Sequence, residues 1–198
     1  MICLVCTGGI GSGKSYAIKV FKALGVPSYI ADQRAKELYE TDSSLLGELV
    51  NLLGEEIIRE GRLDKRAMAM KIFPDPNLLK KVNEIVHPRV LSDFLIWKES
   101  QMSLGEEVVV FESAIFFETP IFHGIEDKVI VVIAPEDVRI ERVMKRDGIT
   151  EDEVRERMSR QCSDEERVKG ADFIIYTDGI KAVLPQISEI LKRVTEKV

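Results

Sequence analysis

The residues Gly8-Gly9-Ile10-Gly11-Ser12-Gly13-Lys14-Ser15 place four glycines, a lysine and two serines within eight positions. They fit the pattern G-x-x-x-x-G-K-[ST] in full. Glycines let a backbone turn its N–H groups inward around an anion. A helix starting beside Gly13 adds its positive end. Lys14 then serves the β- and γ-phosphates of a nucleotide, and Ser15 ligates Mg²⁺. In an empty loop, Lys14 is expected to face solvent. A dinucleotide fold needs G-x-G-x-x-G, and no register supplies it. A switch-type GTPase needs N-K-x-D and D-x-x-G, and neither string occurs. A kinase or an ATPase remains.

Other side chains could serve the acceptor or the transferred phosphoryl group. Asp32 follows an apolar run in "SYIAD", where it either accepts a bond from a substrate hydroxyl or caps a helix starting at Gln33. Arg139, Arg142 and Arg146 recur at i, i+3 and i+7, so one helix face carries all three. They bind an anion there, or they pair with Asp137, Glu141 and Asp147 on a solvated surface. Arg157 and Gln161 repeat the i, i+4 spacing on the next helix. The two helices, joined by "DGITED", read as a lid over phosphates, residues 139 to 165. His87 precedes Pro88 at an expected helix junction, as a ligand or as a structural histidine. Glu112 ends a strand, near Mg²⁺ or exposed. His123 carries no signal.

Strands and helices must hold these groups in place. Ile2–Cys6, Pro27–Ile30, Val108–Glu112, Val129–Ala134 and Phe173–Thr177 read as strands. Three of them are continuous apolar runs, as in parallel strands buried on both faces. Helical patterns cover Lys14–Leu24, Glu136–Arg146, Glu151–Gln161 and Ile180–Lys197. This alternation predicts an α/β fold of the P-loop NTPase type, a parallel five-stranded sheet flanked by helices. Residues 32–104 break the rhythm, with no convincing strand. Helices are expected at Leu45–Leu53, Asp64–Phe73, Leu78–Val86 and Pro88–Ser100. They read as a helical subdomain inserted into a nucleotide-binding core of residues 1–31 and 105–198.

The net charge of −6 argues against a nucleic-acid or anionic-membrane surface. No apolar run approaches a membrane span and no leader is evident, so a cytoplasmic protein is expected. Cys3 and Cys6 form C-x-x-C, but on a strand they face opposite sides, which makes them core residues. The oligomeric state is open, with a monomer plausible.

Further strings lie around the loop: Ala31-Asp32 with Ala35, "GRLDKRAMAMKIF", "HPRV", "FFE" ending at Glu118, "RVMKRDGITEDEVRERMSRQ" and "ADFII". In this order and spacing, the chain resembles the dephospho-CoA kinase family over its whole length. The resemblance implies transfer of a phosphoryl group from ATP to the ribose 3′-hydroxyl of dephospho-CoA, the last step of coenzyme A synthesis. It implies that Asp32 activates the acceptor. The insert carrying His87 and Arg89 would face that acceptor, with Glu118 also on the acceptor side. Arg142 and Arg146 would cover the phosphates. Four positions depart from the usual pattern. Ile30 replaces a first Asp and Tyr16 replaces Thr. Ala114-Ile115-Phe116 stands where "PLL" is usual, and Thr177 where an Asn near adenine is usual.

Overall fold

A computed structural model describes residues 1–196. Lys197, the expected end of the last helix, lies outside them. The chain opens with β1 (Ile2–Thr7), α1 (Lys14–Ala23) and β2 (Ser28–Ile30), followed by α2 (Ala31–Thr41) and α3 (Ser43–Leu53). Two short strands, β3 (Ile58–Arg59) and β4 (Arg62–Leu63), precede α4 (Lys65–Ile72) and α5 (Pro76–Ser103). The remaining elements are β5 (Val108–Glu112), β6 (Lys128–Ile133), α6 (Glu136–Asp147), α7 (Glu151–Ser159), α8 (Asp164–Lys169), β7 (Phe173–Tyr176) and α9 (Val183–Thr195). They form two compact units. One comprises residues 1–30 and 98–198, the other residues 31–97.

The first unit is built on a five-stranded sheet of order β2-β5-β1-β6-β7. Every pairing in it is parallel. Its strands are apolar on both faces, which fits a sheet covered on both sides. Leu4, Cys6, Val110, Ile130, Val132 and Ile175 pack with Ala17 and Phe21 of α1 and Ile187 and Ile190 of α9. The alternate residues Cys3, Val5, Val109, Phe111, Val129 and Val131 are also buried. Phe111 stacks on Tyr29 and meets the edge of Phe122. The two cysteines of the C-x-x-C are thus buried free thiols on opposite faces. Burial pushes each thiol up to about 12.

The second unit is helical, with one exception. The strands β3 and β4 form an antiparallel hairpin with Ile58 opposite Leu63, where no strand was expected. Its two-residue turn is Glu60-Gly61, both at positive φ. Such turns usually announce themselves as Asn-Gly or Asp-Gly, and a glutamate there hides the signal. Asp42 and Asp64 cap α3 and α4 through their side chains.

The largest departure from expectation is α5. Two helices were expected to meet at His87-Pro88, yet one helix of 28 residues runs through Pro88. An interior proline removes one backbone bond and costs about 3 kcal/mol. Val82, Val86, Val90 and Phe94 lie four residues apart, and all are buried. That stripe crosses the proline without a change of phase. Each large apolar side chain contributes about 1.5–3 kcal/mol, so the stripe outweighs the proline.

Candidate functional site

The loop after β1 is shaped by glycines at positive φ: Gly11 at 77° and Gly13 at 94°. Gly13 precedes α1 as a left-handed N-cap without a side-chain cap bond. Neighbours also demand glycine. A Cβ on Gly13 would lie 2.7 Å from the Thr177 hydroxyl, and one on Gly11 would lie 2.5 Å from the Arg139 carbonyl.

Five consecutive carbonyls of this loop are each taken by a side chain. Lys14 Nζ donates to Gly8 O at 2.8 Å and to Gly9 O at 3.1 Å. Arg139 Nε donates to Ile10 O at 2.9 Å. Arg142 reaches Gly11 O at 3.3 Å, and the Thr177 hydroxyl donates to Ser12 O at 2.5 Å. A peptide whose carbonyl is tied on one side presents its N–H on the other. Holding the carbonyls therefore prepares the loop to receive an anion without reorganising.

The expectation that Lys14 faces solvent does not hold: it is half-buried against the loop it serves. Ser15 and Tyr16 at the start of α1 are exposed. Ser12 is buried, and its hydroxyl has no hydrogen-bond partner.

The arginine face resolves into three different situations. Arg139 is 5% exposed and pairs with Asp164 besides Ile10. Arg142 bonds both the carbonyl (2.6 Å) and the hydroxyl (3.1 Å) of Thr177. Arg146 is exposed and pairs with Asp147, which also binds Arg157. Asp147 is held below the usual carboxylate range, first by its bond to Arg146. The helices α6 and α7 share an apolar seam of Ile140, Val143 and Val154, with Ile10 packed against it. The short helix α8 was missed, although Ser163 and Glu166 form a capping box that advertises it.

Glu112 ends β5 opposite Cys6 and is 8% exposed, so it is not an exposed strand end. Its charge raises the Cys6 thiol while Lys14 lowers it. Acid and base thus both act on the end of β1. Glu118 accepts from Arg167 at 3.1 Å and from the Cys162 N–H at 2.9 Å.

In the second unit, α2 starts at Ala31, two residues earlier than the capping reading requires. Asp32 lies inside the first turn, exposed, and is not the N-cap. Its charge raises the Tyr39 hydroxyl, adding to burial, and draws the half-buried His87 upward. Burial is the stronger effect on His87 and holds it below the ordinary histidine range. The Asp32 charge therefore reaches His87. Arg89 points elsewhere, to Glu48 at 2.5 Å and Asp42 at 3.6 Å.

Thr177 is the residue whose place the sequence reading missed. It lies buried behind the loop, bonding Ser12 and Arg142. Its position just after β7, at the sheet end that carries the loop, was the available signal.

A parallel sheet with this loop after its central strand defines a P-loop phosphotransferase fold. Comparison with known proteins narrows it. A family model described as dephospho-CoA kinase matches residues 2–182. A dephospho-CoA kinase of Bacteroides fragilis is 37% identical, over 97% of this chain and 92% of that protein. A solved Thermus thermophilus protein superposes with a TM-score of 0.84 at 31% identity, covering 99% of this chain and 98% of its own. The dephospho-CoA kinase of Campylobacter jejuni shares the fold, with a TM-score of 0.70 at 23% identity over 98% and 97% of the two chains. This chain belongs to the dephospho-CoA kinase family.

Proposed function

We infer that this protein transfers the γ-phosphoryl group of ATP to the ribose 3′-hydroxyl of dephospho-CoA, giving coenzyme A and ADP. The observation that carries the ATP side is the loop itself, with five consecutive carbonyls each tied back by a side chain. Family membership carries the acceptor.

Phosphoryl transfer has a loose transition state, so catalysis is mostly positioning and charge stabilisation. In this reading Gly8 to Ser15 hold the phosphates, with Tyr16 contributing its backbone. Lys14 leaves the Gly8 and Gly9 carbonyls and follows the negative charge that builds on the leaving β-phosphate. Arg142, already at Gly11, and Arg146 supply further positive charge to that group. Asp32 holds the acceptor hydroxyl in line and takes its proton late. His87 and Arg89 contact the acceptor, and Glu118 lines its wall.

Mg²⁺ fits the donors present. It prefers oxygen ligands and needs only one or two from protein besides phosphate. The Ser15 hydroxyl and the buried Glu112 carboxylate are such donors. Bound there, Mg²⁺ would neutralise charge on the β- and γ-phosphates.

The small-molecule partners are thus ATP and dephospho-CoA, with no nucleic acid and no membrane. No helix among the described residues is long and apolar enough to cross a bilayer, and a cytoplasmic site of action is part of the proposal. Incubation with ATP, Mg²⁺ and dephospho-CoA, followed by mass spectrometry, tests the reading. Product one phosphoryl group heavier, identical to coenzyme A, is expected. ATP hydrolysis without that product would overturn the acceptor assignment.

A further inference from the structure

Ile10 sits in the middle of the phosphate loop, and side chains hold both of its backbone groups. Its N–H donates to Gln161 Oε1 at 2.9 Å. Its carbonyl accepts from Arg139 Nε at 2.9 Å. Gln161 lies in the link between α7 and α8. Only its carbonyl oxygen can meet an N–H donor, so its amide orientation follows from the bond itself.

Arg139 is in turn locked from behind. It pairs with Asp164, which pairs with Arg167 at 3.1 Å, which pairs with Glu118 at 3.1 Å. Two guanidinium groups and two carboxylates form a row of zero net charge. The arginines are almost wholly buried. The loop is moulded onto this row: a Cβ on Gly9 would lie 2.2 Å from an Arg139 nitrogen and 3.1 Å from one of Arg167.

We propose that Arg139 and Gln161 are positioning residues that clamp the two peptide groups of Ile10, holding the phosphate loop in its binding shape before ATP arrives. The proposal rests on the reading of this loop as the ATP site. The chemistry is that of a backbone cradle. Flipping the Ile10–Gly11 peptide would turn a carbonyl toward incoming phosphate, flipping the Gly9–Ile10 peptide would set the Gly9 carbonyl against Gln161 Oε1, and the paired bonds oppose both flips. Arg139 thereby acts through the loop, its buried guanidinium engaged through Nε by Ile10 and through Nη1 by Asp164.

Two readouts test this without the acceptor: MgATP affinity by calorimetry, and hydrogen exchange of the Ile10 amide by NMR in the ATP-free protein. Gln161→Met removes the acceptor at similar volume. It is expected to speed Ile10 exchange and to weaken MgATP binding about five- to tenfold, the worth of one hydrogen bond. Gln161→Glu restores an acceptor and is expected to restore Ile10 protection. Arg160→Ala, which removes the exposed pair with Glu156, should change neither readout.

Arg139→Met alone leaves Asp164 paired only with Arg167 and the buried row one negative charge in excess, so it can fail to fold. The double change Arg139→Met with Asp164→Asn removes both charges together and is expected to weaken MgATP binding to the same degree or more. Wild-type affinity in Gln161→Met would overturn the proposal. So would weakened affinity with unchanged Ile10 exchange, which would make Gln161 a direct phosphate ligand. Failure of wild-type protein to bind MgATP would also overturn it. Binding of MgATP without coenzyme A formation would instead fault only the acceptor assignment.

Discussion

Between Gly8 and Ser15 the backbone is the proposed binding surface, and Thr177 just after β7, arginines of α6 and the loop's own lysine hold it in shape. In residues 31–97 the arrangement is reversed. Helices hold the backbone, and the candidate groups Asp32, His87 and Arg89 are side chains projecting from them. The loop is braced by buried groups such as Arg139 and Thr177. The acceptor candidates carry looser partners: Arg89 is tied to the exposed Glu48 and to Asp42 by ion pairs of the kind worth about 0–1 kcal/mol. The contrast suits the two ligands. Triphosphate needs a rigid nest fixed in advance, whereas a long acceptor is met by side chains that can rearrange. Substitutions in the first region should therefore act through geometry, and those in the second through single functional groups.

The sharpest break is Lys14→Ala. It removes the charge proposed to follow the leaving phosphate and also frees the Gly8 and Gly9 carbonyls. Turnover should fall on the order of 10³-fold or more, with a stability loss of about 1 kcal/mol from the lost loop bonds. Steady-state kinetics beside thermal melts check both. Normal turnover in a folded variant would end the P-loop reading.

Next comes Asp32→Asn, which keeps shape and can accept a bond but cannot take a proton. A fall in kcat of about 10²-fold or more is expected, with MgATP affinity unchanged. Because Asp32 lies in the first turn of α2 and not at its cap, the stability change should be small, about 0.3–1 kcal/mol from the helix dipole. Near-normal turnover would remove its catalytic role.

How far the sequence reaches follows the same division. The loop was legible because its chemistry is local: eight consecutive residues carry it, between a strand and a helix that periodicity reveals. The sheet was legible because strands buried on both faces are continuous apolar runs, Val129–Ala134 among them. What holds the loop was not legible. Thr177 lies 165 residues from Ser12, and Gln161 lies 151 residues from Ile10. No local rule joins such pairs. Pro88 misled because a local breaking rule met a tertiary stripe, Val82 to Phe94, that overrode it. The Glu60-Gly61 turn misled because glutamate at positive φ is rare.

A finer comparison lies within the arginine face. Arg142 anchors Thr177 and the loop, whereas Arg146 pairs only with neighbouring Asp147 among its described hydrogen bonds. Arg142→Ala should lower both MgATP affinity and melting temperature. Arg146→Ala should leave the melting temperature nearly unchanged, within the effect of an exposed pair, and lower kcat about tenfold. Kinetics unchanged in Arg146→Ala would leave it a surface partner of Asp147.

The smallest expected effect belongs to His87. In the unfolded chain a histidine titrates near about 6.5. In the folded protein, burial lowers the value, and the Asp32 charge only partly opposes that. As pH falls below the unfolded value, the unfolded chain takes a proton that the folded one still refuses. Stability contributed by the neutral imidazole is therefore present above that value. It declines as pH drops toward the folded value and levels off beneath it. Thermal melts at pH 7.5 and 5.5 should show a loss in wild type that His87→Gln reduces. Asp32→Asn should enlarge the loss, because removing the carboxylate removes the charge that draws His87 upward. Opposite responses from two single substitutions separate His87 from every other group titrating in the same window. If His87→Gln keeps the full pH dependence, His87 is not the group responsible. If Asp32→Asn leaves it unchanged, the two side chains are not coupled, and the acceptor assignment loses the physical link between them.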